Sequence, residues 1–428
     1  MRWFLFVYFI LSGVTWVAGN AGKGVAGRVA LPDVFLPVLA VLLVVTQRVP
    51  LRFPPLAVAA VCMLISFTPG VLLAPYLTDS LLEWGIFVYA LFGFFVIYNL
   101  VVRQSIDDRV DAMVWWCRAG TVIALIGIYD LFAATTGLPR IAGMLGQGLR
   151  SQGGLVGTFR NTGQAGSFIG TVLAVALPLS FVAGDRKRKL ELTILTAILV
   201  LALVLTVKRA ALLGMGVGGT LFLVRGLQRR QAVRTLATLT ISVLLLVPAY
   251  RFMDSASAAF RWRIAAKLSS SAGESVQSFA ATNYETTRDA FLSDPIWGVG
   301  MGTITASGAR FEIHSTYLNI LASAGIVGVL GYLVFVWWLF RSITRPRNDD
   351  PRAVPFARLF LPMMLGLMLS YGYTNHLRKR EFWITAALVS AFMAPAAVRR
   401  TAPPPLVGRR PGARAAPVVL QPAGAAGE

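Results

Sequence analysis

Histidine, cysteine and carboxylates are the scarce residues of this chain. Its 428 residues include two histidines, two cysteines and 19 Asp plus Glu. Each shortage closes off a class of chemistry. Cys62 and Cys117 fall in or beside apolar runs without metal-ligand spacing, so they read as core residues and imply no disulfide framework. The stretches expected outside a membrane carry no Asp-x-Asp pair and no His-Glu-x-x-His. Asp289 and Asp294 are poorly spaced for a metal clamp. The expectation is therefore a metal-independent protein without a cofactor. No internal repeat is visible, which gives an inverted-repeat transporter no support. Charged residues make up only 14% of the chain, against about a quarter in soluble domains.

What fills the space is apolar. Hydrophobic residues make up 56% and the mean hydropathy is +0.68. Apolar runs fall at 3–18, 29–46, 53–73, 80–102, 112–135, 165–183, 190–206, 209–225, 234–250, 314–340, 354–373 and 382–398. This predicts an all-α polytopic membrane protein of about twelve transmembrane helices, each near the ~20 residues a bilayer requires. The first run, preceded by Arg2, is expected to be a retained helix and not a cleaved signal peptide. The domain reading is nine helices over 1–250, a large loop over 251–312 with short helices, three helices over 313–398, and a basic, disordered tail over 399–428.

The formal net charge of +21 would suggest nucleic acid in a soluble protein. Here the basic residues cluster in short loops between apolar runs, which predicts membrane topology and no nucleic-acid partner. Gln47-Arg48 with Arg52, Arg186 to Lys189, Arg225 to Arg234, Arg341 to Arg352 and the tail from Arg399 alternate with the other loops. They place both termini in the cytoplasm and the 251–312 loop outside.

Against that background the stretch from Glu312 to Gly331 organises the chain. His314 sits where a polar loop meets an apolar helix, and Ser315 and Thr316 are good N-cap residues. The positive end of a helix dipole favours the neutral imidazole that a general base needs. Gly325, Gly328 and Gly331 recur every three residues and predict one flat, small-residue face for close packing in a membrane.

Several basic residues break the topology rule and are singled out for that reason. Lys208 and Arg209 lie in an outer turn between two apolar helices, where charge is costly and is usually functional or paired. Interfacial snorkelling is the plain alternative. Arg160 and Asn161 lie in Gly157-Thr-Phe-Arg-Asn-Thr-Gly-Gln-Ala-Gly166, whose backbone amides suit an anion. Arg288 and Arg310 lie in the large loop, where Arg261 to Lys267 reads as an amphipathic helix and 287–302 as a short helix with a Gly-rich turn. His376, Arg378, Lys379 and Arg380 lie in the last outer loop. For most of the loop arginines a solvated face or lipid-headgroup contact is the simpler account. Convergence of His314, Arg209, Arg288 and Arg378 on one outer cavity would make a diphosphate site, because guanidinium binds phosphate bidentately and stabilises it as a leaving group.

At these residues the chain resembles the O-antigen ligase and polymerase superfamily of bacterial envelope glycosyltransferases. His314-Ser315, nine residues, then Gly325-Ile-Val-Gly328 is similar to that family's signature. Gly157-Thr-Phe-Arg-Asn161, Lys208-Arg209-Ala210, and Arg288 ahead of Asp294-Pro-Ile-Trp-Gly-Val-Gly300 agree in order. Lys208 departs from the serine often found in the family. The resemblance covers about residues 155–383, and the first five helices match in hydropathy only. It implies a GT-C-like fold in a bacterial inner membrane with a periplasmic active site. It also implies undecaprenyl diphosphate-linked O-antigen as donor and, in ligases, lipid A core oligosaccharide as acceptor. His314 would be the base; Arg209, Arg288, Lys208 and Arg160 would bind the diphosphate; Arg310, Arg378, Arg380, His376 and Asn161 would support them.

One large outer loop at 251–312 beside a short one at 136–164 favours a ligase over an O-antigen or exopolysaccharide polymerase. A lipid-linked glycan flippase would also grip diphosphate with cations. It would spread them over both halves of the membrane, whereas here they gather on the outer face.

Overall fold

The computed structural model describes residues 2–14, 30–46, 51–141, 154–227, 272–307 and 313–395, with isolated positions at 244, 247, 248, 251, 261 and 265. Among the described residues there is no strand, and thirteen helices follow in order. They are α1 (Arg2–Ser12), α2 (Leu31–Thr46), α3 (Pro55–Leu72), α4 (Leu77–Val102), α5 (Ile106–Thr136), α6 (Thr162–Val182), α7 (Arg186–Leu205), α8 (Arg209–Leu227), α9 (Ala272–Ser293), α10 (Thr303–Ala306), α11 (Thr316–Thr344), α12 (Ala353–Tyr371) and α13 (Arg380–Met393).

Among them α3, α4, α5, α6, α11 and α12 are long and apolar enough to cross a membrane by length and composition. The chain is an all-helical membrane protein. Most of the expected run 234–250 and of the stretch 261–267, together with Arg310 and the tail 399–428, lie outside the described residues.

Some helices begin earlier than the apolar runs alone suggest. The fifth was expected from 112 and starts at Ile106, because the Ser105 side chain caps the Asp108 amide. The seventh was expected from 190 and starts at Arg186, because Asp185 caps the Arg188 amide at 2.7 Å. A cap satisfies donors that would otherwise be orphaned, so a polar turn joins the helix. Arg109 is buried in the first turn of α5. It donates to the carbonyls of Ala391 (2.9 Å), Ala394 (2.8 Å), Pro395 (3.1 Å) and Val102, closing the last turns of α13 and α4.

The core centres on α6 and α13. Every residue from Glu381 to Met393 is buried, although α13 is only 14 residues long. A helix that is hydrophobic on all sides belongs inside, and α13 contacts α4, α5, α6 and α11. Trp116 of α5 donates to Thr385 at 3.1 Å and Trp383 donates to the Leu377 carbonyl at 2.8 Å, so these two fully buried indoles have their partners. Cys117 is buried, but Cys62 is exposed on α3, so only one of the two cysteines is a core residue.

Candidate active site

His314 precedes the N-cap of α11. Its side chain is exposed, and its backbone N–H donates to Asn283 Oδ1 of α9 at 2.9 Å. Ser315 caps the helix by accepting from the Leu318 amide. Thr316, expected as a cap, is instead the first helical residue and is fully buried. Its hydroxyl donates to the Thr374 carbonyl at 2.7 Å and stands 2.9 Å from His376 Nδ1. A hydroxyl has one proton. With that proton given to Thr374, the imidazole of His376 must carry its own hydrogen on Nδ1 and donate it to Thr316. His314 thus hangs from a segment held by α9 on one side and by the 372–379 loop on the other.

The glycine pieces of the sequence interlock. The small-residue face holds for Gly328 and Gly331, where added Cβ atoms would stand 3.2 Å from Phe67 and 2.1 Å from Ser66 of α3. Gly325 does something different: its φ of 58° and ψ of −158° break α11, so it is not part of a continuous helical face. That region is essentially reserved for glycine. The backbone groups freed at the break are taken up by residues 295–300. Val299 N–H and Gly300 N–H each donate at 3.0 Å, to the carbonyls of Ala322 and Ser323. Ile326 N–H donates to the Pro295 carbonyl at 3.0 Å, and Val327 N–H to the Ile296 carbonyl at 3.3 Å. A Cβ on Gly298 would stand 2.4 Å from the Ala324 nitrogen. Asp294-Pro-Ile-Trp-Gly-Val-Gly300 and Gly325-Ile-Val-Gly328 therefore form one structural unit, which fixes where α9 ends relative to α11. Helix α9 runs 22 residues, longer than the short helix expected there.

Lys208 lies in the turn between α7 and α8. Val207 before it has φ of 52°, an uncommon conformation for a β-branched residue. The turn is braced by Leu155 N–H donating to the Leu205 carbonyl at 2.8 Å. Lys208 lies over the start of α6: its Nζ is 3.6 Å from the place a Cβ would take on Gly163. Asn161 caps that helix, accepting from the Gln164 amide at 2.9 Å, while the Arg160 N–H donates to the Gln164 side chain at 3.2 Å. Gly163, Lys208, Ser370 and Thr374 line one narrow cleft. Thr374 accepts from Thr316, so this corner borders the His314 segment.

The remaining basic residues divide. Arg288 is exposed on α9 and bonds its neighbour Asp289 at 2.9 Å. Arg209 opens α8, half-buried. Arg378 pairs with Glu83 of α4 at 2.7 Å, and Lys379 Nζ donates to Thr374 Oγ1 at 2.8 Å. Arg380 Nε bonds Asp33 of α2 at 2.8 Å. Arg378 and Arg380 thus tie helices together through carboxylates. His376 is fully buried, stacked on Tyr371 with ring centroids 3.8 Å apart. Burial, and secondarily the Lys379 charge, hold its imidazole well below the usual histidine range, in the neutral form.

Residues 194–333 match the family model described as O-antigen ligase. The chain carries a domain of the O-antigen ligase superfamily. The matched segment of this O-antigen ligase domain contains Lys208, Arg209, Arg288, His314 and both glycine pieces, and ends before His376. No curated protein matches the chain.

Asn283 was missed by reading the sequence. Its only signal was a polar pair with Thr287, one turn apart; both are buried, and the Thr287 hydroxyl bonds the Asn283 carbonyl at 2.6 Å. An isolated Asn–Thr pair on a polar helix carries no mark of the loop it will hold.

Proposed function

We propose that this protein is an O-antigen ligase that moves glycan from undecaprenyl diphosphate to a lipid A core sugar at the periplasmic face of the inner membrane. The reading includes the twelve-span topology with both termini cytoplasmic. The exposed imidazole of His314, on a segment anchored at Asn283, Thr374 and His376, is the observation that carries it. A base must hold its nitrogen still against the acceptor hydroxyl, and a triply anchored backbone supplies that restraint.

In the reaction the acceptor oxygen attacks the anomeric carbon from the face opposite the carrier. The bond from that carbon to the diphosphate oxygen breaks and the configuration inverts. His314 takes the hydroxyl proton. Arg209, Arg288 and Lys208 take up the charge developing on the diphosphate, with Arg160 beside the start of α6. The exposed Arg288–Asp289 pair is weak enough to be exchanged for a doubly charged ligand. No step needs a metal.

Transfer from a defined carrier-linked glycan to core lipid by purified protein tests the reading. In a deletion strain a ligase leaves bare core with carrier-linked polymer accumulating outside. A polymerase would leave core capped by a single repeat, and a flippase would trap carrier-linked units on the inner leaflet. Either of the last two results removes the ligase assignment.

A further inference from the structure

Three arginines gather around a cavity at the other end of α11 from His314. Helix α11 is 29 residues long, about 40 Å at 1.5 Å per residue, so its two ends belong to opposite membrane interfaces. Beyond its final turns a cleft of about 240 Å³ opens, bordered by Arg341, Arg345 and Arg347. Apart from Ser342 and Ser390, its other walls are apolar or aromatic, among them Pro54 and Leu56 of the α3 entry, Trp338 and Met393. No carboxylate lines it, and among the described residues no carboxylate pairs with these three arginines. Asp350, the nearby acid, is taken by Arg352 at 2.8 Å.

Two further observations point to a ligand. Ser390 of α13 lines the cleft at 6% exposure, and its hydroxyl has no hydrogen-bond partner. A buried polar atom without a partner is costly unless something else fills that role. The Arg341 guanidinium is held over the Trp338 ring at 5.4 Å, while Trp337 beside it is 64% exposed. Tryptophans flanked by arginines at the end of a membrane-length helix mark the headgroup layer.

We propose that this cleft binds the phosphate headgroup of an acidic membrane phospholipid. Arg341, Arg345 and Arg347 take the phosphate, Ser390 donates to one of its oxygens, and the acyl chains run along the apolar surface of α11. Apolar walls beside clustered guanidinium favour a lipid over a soluble anion, because a free phosphate gains nothing from Leu56 or Met393. The site is independent of the glycan-transfer reading and lies at the far end of the same helix from His314.

The test uses the full-length protein in mixed micelles, titrated with phosphatidylglycerol or phosphatidylcholine and read by native mass spectrometry. The wild type should prefer phosphatidylglycerol. The triple variant R341Q/R345Q/R347Q should lose about tenfold or more of that affinity, and R341K/R345K/R347K should recover much of it. R186Q/K187Q, two exposed charges on α7, should stay close to wild type. Arg345→Gln alone, at an exposed position, should weaken binding in the same direction, which keeps the test valid if the triple variant does not fold. Equal binding of the two lipids, an unchanged affinity in the arginine variants, or displacement of the lipid by inorganic phosphate at submillimolar concentration would each overturn the proposal.

Discussion

Thr316 Oγ1 and His376 Nδ1 stand 2.9 Å apart, so both histidines of the chain are attached to one short segment at the start of α11. His314 presents its side chain outward, while His376 is sealed inside and holds the segment through the first helical residue. The two play different physical parts, and different measurements separate them.

His314→Ala should abolish glycan transfer, or lower it by about 10²–10⁴-fold if solvent substitutes for the base, with membrane insertion and melting temperature unchanged. The substituted side chain is exposed, so the helix core keeps its packing. In vitro transfer alongside a melting curve decides it; wild-type activity in the variant would remove the imidazole from the reaction.

Asn283→Ala deprives the His314 N–H of its acceptor. Transfer should fall roughly tenfold, the worth of one such bond. Asn283→Asp, which keeps the acceptor oxygen, should retain most of the rate. An Asp variant as impaired as the Ala variant would detach Asn283 from the positioning of His314.

Stability should fall as the pH drops below the ordinary histidine value of 6.5. His376 is neutral in the folded chain and its folded value is depressed, so the unfolded chain binds the extra proton. Its contribution is therefore complete above 6.5 and is lost on acidification, by about 1.4 kcal/mol per pH unit. His376→Gln should flatten this slope between pH 6.5 and 5. Denaturant melts at both pH values measure it, and an unchanged slope would mean that other groups carry the acid sensitivity.

Gly325→Ala should destabilise by about 2–4 kcal/mol. A Cβ there would stand 2.4 Å from the Ile296 carbonyl oxygen, in a backbone region closed to alanine. Gly85→Ala in α4 meets nothing within 4 Å and should be neutral or stabilising by up to about 1 kcal/mol. Equal melting temperatures for the two variants would refute the interlock.

Arg378→Gln and Glu83→Gln should lower stability by similar amounts, roughly 1–2 kcal/mol each, because the two side chains pair. If Arg378 instead bound the donor, only its own variant would raise the KM for carrier-linked glycan.

Hydropathy, loop charge and local caps settled a great deal without a fold. They are short-range properties, and the membrane-length apolar helices and the Ser315 cap depend on neighbours a few residues away. The glycines were legible as special, but their purpose was not. A repeat of three reads as a packing face, whereas Gly325 and Gly298 serve to let two segments 27 residues apart exchange backbone hydrogen bonds. The carboxylates that Arg378 and Arg380 meet, Glu83 and Asp33, lie 295 and 347 residues away in sequence, so neither pairing was legible there. The long-range pairings of Asn283 with His314, Thr316 with His376, and Ser390 with an arginine-lined cleft belong to the tertiary structure alone. A hydrogen bond is decided by which atoms come within 3 Å of each other, and only the packed helices determine that distance.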